Sequence, residues 1–176
     1  DLYENNERDD YLKKVRFGLI GGGFGALIGR ILKMAAELSG SAELVCGAFS
    51  RDSNQSKKAG VELFDIDPHR SYPDVETMCL TESTADEGRR AEVMIVATPN
   101  HSHFEIAKQC LSSGFHVVCD KPMTVSLNQA QELAELVKET GLSFGLTYNY
   151  TGYPMVRQAR RMVLEGQLGE IRRVSC

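Results

Sequence analysis

The sequence predicts an α/β chain built on a doubly wound parallel sheet. Three observations carry that expectation. Short apolar runs of strand length alternate with longer segments whose apolar residues recur at helical spacing. The first run, Val15-Arg16-Phe17-Gly18-Leu19-Ile20, breaks into a glycine-rich turn and then becomes helical. Polar clusters close the apolar runs at their carboxyl ends, as expected of strands buried on both faces and joined by covering helices.

Taken in order, residues 1–14 (DLYENNERDDYLKK) are a polar lead-in without the apolar stretch of a signal peptide. Val15 to Ile20 is the first strand, and Gly21-Gly22-Gly23-Phe24-Gly25-Ala26 fits the spacing G-x-G-x-x-G/A. Gly21 permits the tight turn, Gly23 lets an anion approach the backbone, and Ala26 is small enough for the helix to lie against the strand. Free N–H groups and the helix dipole then converge on one point, which suits a pyrophosphate. The same letters read G-x-G-x-G through Gly25, as in methyltransferase loops that bind S-adenosylmethionine, and a glycine cluster also serves as a plain strand-helix turn. Leu19 stands where the methyltransferase pattern has an acidic residue, which disfavours that reading.

Leu27, Ile28, Ile31, Leu32, Ala35 and Leu38 form the apolar face of the first helix, stopped by Gly40. Glu43 to Phe49 is the second buried strand, closed by Ser50-Arg51-Asp52-Ser53, and a weakly helical stretch follows to Phe64. Beyond the connection at Pro68 to Pro73, a helix covers Asp74 to Leu80 and the charged run to Arg90 is a solvated loop. Glu92 to Ala97 is a strand ending in Thr98-Pro99-Asn100, and Ser102 with Glu105 makes a capping box for a helix facing the core with Ile106, Ala107, Cys110 and Leu111. His116 to Cys119 is a strand ending in Asp120-Lys121-Pro122. Ser126 with Gln129 caps a helix stopped by Gly141, and Ser143 to Thr147 is again strand. Pro154 opens a helix through Leu164, and Glu170 to Cys176 begins one more strand. Residues 15–149 are thus the sheet domain, and 150–176 are a connecting helix and the first strand of a second, α+β domain that the chain only begins.

Bulk properties narrow the function classes. The 176 residues carry a net charge of -4, so no basic surface invites nucleic acid. The longest apolar candidate for a membrane span, Phe17 to Ile28, is broken by five glycines. Cys46, Cys79, Cys110, Cys119 and Cys176 contain no C-x-x-C pair and are read as reduced core thiols of a cytoplasmic protein. His101 and His103 stand at i, i+2, and no cysteine or carboxylate cluster joins them, so no metal is expected.

In a parallel sheet, ligands sit at the carboxyl ends of the strands. Ser50-Arg51, Thr98-Pro99-Asn100 and Asp120-Lys121-Pro122 all fall on that edge, with the glycine turn. Lys121 has two readings: a surface lysine paired with Asp120, or an ammonium held in a defined direction by the following proline to act on a substrate hydroxyl.

Gly21 to Ala26, Thr98-Pro99-Asn100-His101-Ser102-His103, Cys119-Asp120-Lys121-Pro122 and Gly166-Gln167-Leu168-Gly169-Glu170-Ile171 together resemble the Gfo/Idh/MocA oxidoreductases, relatives of glucose-fructose oxidoreductase and inositol dehydrogenase. The resemblance covers Val15 to Cys176. It implies a Rossmann domain that binds NAD or NADP, and a hydride moved between nicotinamide and a sugar, cyclitol or related polyol. Lys121 matches the catalytic lysine of the family's E-K-P motif, with Asp120 in place of the glutamate. Thr98, Pro99, Asn100 and His103 match the T-P-x-x-x-H region lining the ribose and nicotinamide side; His103 is equally read as a capped helix residue without a ligand. Gly21, Gly23, Phe24, Gly25, Ala26, Ser50, Arg51, Asp120 and Lys121 complete the expected cofactor contacts.

Where the family often has an arginine pair, this chain reads Tyr148-Asn149-Tyr150, which makes Asn149 the candidate substrate contact. The family's distal acid-base residues come from the second domain, so the chain is expected to hold cofactor without completing turnover, and the full-length protein to be a homo-oligomer. A carboxylate after the second strand would accept from the adenosine ribose, whereas Ser50-Arg51 suits a 2′-phosphate and favours NADP; Asp52 is either the ribose ligand or a helix cap. A non-catalytic dinucleotide sensor or scaffold is the competing expectation.

Overall fold

The computed structural model describes residues 13–175; most of the 1–14 lead-in, and Cys176, lie outside them. Five strands, β1 (Val15–Gly21), β2 (Ala42–Ala48), β3 (Val93–Ala97), β4 (His116–Cys119) and β5 (Phe144–Leu146), pair in parallel in the order β2-β1-β3-β4-β5. Helices α1 (Ile28–Glu37), α2 (Ser53–Phe64), α3 (Val75–Ser83), α4 (His103–Ser112) and α5 (Leu127–Thr140) connect them. This is the expected doubly wound α/β architecture, a Rossmann fold.

Alternation along each strand makes two cores. Phe17 and Leu19 of β1 join Phe49, Ala59 and Phe64 on one side of the sheet. Ile20 joins Met94, Val96, Val117 and the inward residues of α3, α4 and α5 on the other. Both faces are covered, so a polar side chain in a central strand would lose water without gaining a partner, and the strands therefore read as apolar runs. From β1 the chain goes to β2 on one side and later returns to β3 on the other. That reversal opens a crevice at the carboxyl ends of β1 and β3.

Local caps set several boundaries. Asp52 and Asp74 accept from Gln55 N–H and Thr77 N–H at 2.8 and 2.7 Å, starting α2 and α3. Gly141, at φ 68°, closes α5.

Four expectations are corrected. Ser102 does not cap α4: its φ and ψ of -101° and -7° already lie on a helical path, because a 3-10 turn, Asn100–Ser102, leads directly into the helix. Its hydroxyl turns back instead to Pro99 O at 2.7 Å. The apolar face of α1 is largely open: Leu27, Ile28, Ile31 and Leu38 are exposed, and only Leu32 and Ala36 pack on the core. The charged run after Leu80 is not wholly solvated, since α3 continues to Ser83 and turns Glu82 inward to 1% exposure. Finally, no strand forms over the described residues 170–175.

Glu82 is a buried junction. Its carboxylate accepts from Arg70 Nη2 and Nε at 2.6 and 3.1 Å, from Tyr72 Oη at 2.9 Å and from Ala91 N–H at 2.9 Å. Burial alone would raise its pKa, and is the largest single influence, yet the Arg70, Ala91 and Tyr72 contacts together outweigh it and hold the carboxyl below the usual range.

Residues 147–176 make a second compact unit. It holds a 3-10 turn, Asn149–Gly152, and α6 (Pro154–Leu164), opened by proline in the first turn. Tyr150 and Tyr153 meet edge to face at 5.5 Å. No helix among the described residues is long and apolar enough to cross a membrane.

Candidate functional site

The glycine turn is shaped by close backbone approaches. Gly21 has φ 88°, and a Cβ there would lie 2.5 Å from Ala97 O. A Cβ on Gly23 would lie 2.5 Å from Phe49 O, the acceptor of the Gly23 N–H at 3.2 Å. The close packing of helix on turn, expected at Ala26, falls instead at Gly29, where a Cβ would lie 2.4 Å from Gly22 Cα. Ala26 lines the cavity described next. Glycine at position 29 was legible in the sequence, but its partner Gly22 is met only through the fold.

No side chain caps the start of α1. The Phe24 and Gly25 N–H groups also donate to no protein acceptor among the described residues. A turn with free donors at the positive end of a helix dipole can receive an anion.

A cavity of about 640 Å³ lies over this turn. Gly21, Gly23, Phe24 and Ala26 form its floor, Ser50 and Arg51 one end, and Thr98 and Pro99 the wall after β3. Of the expected cofactor residues, Gly25, Asn100, His103, Asp120 and Lys121 are not part of the wall. Gln55, Val75, Glu105 and Ile106 are, and sequence reasoning missed them. Their inward phase depends on where α2, α3 and α4 begin, and for α4 the 3-10 turn moved that start.

At the end of β2, Ser50 Oγ accepts the Asp52 N–H at 3.1 Å while Asp52 is engaged as the cap of α2. Of the two roles left open for Asp52, the structure has the cap. Arg51 is exposed and makes no ion pair among the described residues. Thr98 Oγ1 lies 2.9 Å from Ser102 Oγ, whose single proton is shared between it and Pro99 O.

Asp120 extends the β4 ladder by one bond, donating its N–H to Val96 O at 2.9 Å. Its carboxylate accepts the Lys121 backbone N–H at 2.9 Å. The Lys121 side chain is exposed, and the Lys121–Pro122 peptide is cis. Asn149 begins the 3-10 turn of the second unit.

His103 has two readings from the sequence, a residue of the cofactor-lining region or a helix residue without a ligand. Rather than facing the cavity it is fully buried, with Nδ1 2.7 Å from Pro122 O and Nε2 2.8 Å from Thr98 O. Its place at the first residue of α4 points it back beneath the two strand-end loops.

The described cysteines are buried free thiols. Burial first, then the Asp120 charge, pushes Cys119 up to about 12. Burial likewise raises Cys46 well above the ordinary value. Cys110 is raised by its contact with Cys79, sulfur to sulfur at 3.9 Å, and by burial. Among the described residues, no group of three histidine, cysteine or carboxylate side chains is arranged to hold a metal ion.

Comparison with known proteins points the same way as the cavity. Residues 15–148 match the family described as an oxidoreductase family with an NAD-binding Rossmann fold. The uncharacterised oxidoreductase YfiI of Bacillus subtilis is 36% identical over 161 residues, which are 91% of this chain and 40% of that protein. Levoglucosan dehydrogenase of Pseudarthrobacter phenanthrenivorans is 33% identical over 79 residues, 45% of this chain and 20% of the enzyme. An inositol dehydrogenase homolog of Azotobacter vinelandii, solved with NADH and myo-inositol, superposes with a TM-score of 0.86 at 39% identity. That match covers 91% of this chain and 41% of the homolog. The chain thus spans about two fifths of the length of YfiI and of the inositol dehydrogenase homolog.

Proposed function

Because the chain belongs to the Gfo/Idh/MocA oxidoreductase family, with its NAD-binding Rossmann fold, we propose that it is the cofactor-holding region of an NAD(P)-dependent oxidoreductase acting on a sugar, cyclitol or related polyol. The observation that carries the reading is the cavity over the uncapped α1 terminus at the β1/β3 crevice. Gly21, Gly23, Phe24, Gly25 and Ala26 would hold the pyrophosphate. Ser50 and Arg51 would hold the adenosine ribose, with Val75 and Ile106 as apolar walls for adenine. Thr98, Pro99 and Asn100 would border the nicotinamide half.

When bound, the dinucleotide supplies a two-electron acceptor at nicotinamide C4. Lys121 would take the hydroxyl proton as the carbinol is oxidised and return it in the reverse direction. Asp120 would steady that lysine through its backbone N–H. Asn149 is the proposed contact to a substrate hydroxyl. In the whole enzyme the family's second domain would complete the acid-base set, and the enzyme would be a homo-oligomer.

NADP is the preferred form in this proposal. Asp52 Oδ1 is engaged as the cap of α2, whereas Arg51 is exposed and available to a 2′-phosphate. NAD is the competing form, since the Azotobacter vinelandii homolog was solved with NADH and with NAD+. Fluorescence titration with NADH and NADPH tests both points. Arg51→Ala is expected to weaken NADPH binding about ten- to hundredfold, the loss of a hydrogen bond to a charged group, and to leave NADH nearly unchanged. Equal weakening of both would discard the 2′-phosphate assignment. Absence of binding by either would discard the cofactor site.

A further inference from the structure

We infer that His103 is a positioning residue that sets where Lys121 stands relative to the cofactor cavity, an inference that rests on the function proposed above. The ring joins two loops. One of its acceptors belongs to Thr98, a wall residue of the cavity; the other belongs to Pro122, directly after Lys121. Both are backbone carbonyls, so each ring nitrogen lies within hydrogen-bond distance of an acceptor on a different loop.

The need for such a tie follows from the local chain. The β4 ladder ends with the Asp120 N–H, and residues 121–126 form neither helix nor strand. Beyond Asp120, the stretch is tied by the Lys121 N–H bond, the packing of Met123 on the core and the bonds of Thr124 and Val125 to the start of α5, and the tie at the Pro122 carbonyl is His103. Because the ring is buried and outside the cavity wall, it acts on Lys121 through the backbone and contacts no ligand. An error of about 1 Å in the position of a reacting group is enough to cost most of its effect, so a rigid tie at this distance from the chemistry matters.

The test reads the position of Lys121 without turnover. Purified chain is titrated with NADH and NADPH, then reductively methylated with labelled formaldehyde in the presence and absence of NADPH, and modification of Lys121 is followed by peptide mass spectrometry against the exposed control Lys138. In the native chain NADPH is expected to protect Lys121. His103→Phe is expected to keep the NADPH dissociation constant and lose the protection; His103→Gln, which keeps an amide donor, is expected to restore part of it. Native protection in the folded Phe variant would overturn the inference, as would binding without protection of Lys121 in the native chain. If His103→Phe fails to fold, the Gln variant decides alone: weakened protection with retained affinity supports the tie, and undiminished protection overturns it. Failure of the native chain to bind either dinucleotide is a separate result, which removes the proposed function and the inference with it.

Discussion

Gly29 illustrates how one hydrogen atom in place of a side chain sets the geometry of the site. Its α-carbon region meets Gly22 so closely that any Cβ must displace the turn from the first residues of α1. Gly29→Val is therefore expected to cost about 1–3 kcal/mol of stability through overpacking. On the proposed function it should also abolish the heat of dinucleotide binding in calorimetry, because the shifted turn no longer aims its N–H groups together. A variant that is destabilised but binds normally would separate the packing of Gly29 from the anion site. Arg51 works at the same scale in the opposite way: it is open to solvent, so its substitution tests ligand recognition with little effect on the fold.

At the scale of elements, the caps explain which expected boundaries agree with the structure. Asp52 and Asp74 are followed by residues that can enter the helix while the aspartate itself stays extended, at ψ 117° and 173°, so their carboxylates reach the third N–H along. Asp52→Ala is expected to cost about 1 kcal/mol in urea unfolding and to fray α2 from its start. The bond from the residue-52 N–H to Ser50 Oγ is a backbone donation that alanine keeps, so the end of β2 should stay in place. Unchanged stability would show that α2 is held by Ala59 and Phe64 in the core alone. Ser102 shows the converse: its letters fit a capping box, but the preceding 3-10 turn puts it inside a helical path where its hydroxyl faces backwards. Propensity sees four letters, whereas the preceding turn is set by how Thr98 and Pro99 leave β3.

For the whole molecule, stability should depend on pH through Glu82. Its folded-state pKa is lowered, so the stability it contributes is complete above its ordinary unfolded-state value and is lost as pH falls through the lower folded-state value. Glu82→Gln is expected to cost about 3 kcal/mol at neutral pH, from breaking a buried ion pair, and the gap between variant and native unfolding midpoints should close in acid. A gap that stayed constant down to pH 3 would contradict the role given to the charge. The apolar runs, the glycine turn and the polar clusters at strand ends by themselves predicted the parallel α/β sheet and its succession of strands and helices along the chain, because period and turn chemistry are local. The sequence also carried the family resemblance, through motifs whose spacing repeats at the strand ends. Only the tertiary structure decided that Glu82 is buried, that Gly29 rather than Ala26 receives the turn, that Asp52 is a cap, and that His103 lies beneath the site between Thr98 and Pro122. Each of those depends on a partner far along the chain, and the free energy of a buried polar group or a close backbone contact is set by that partner, which no local pattern names.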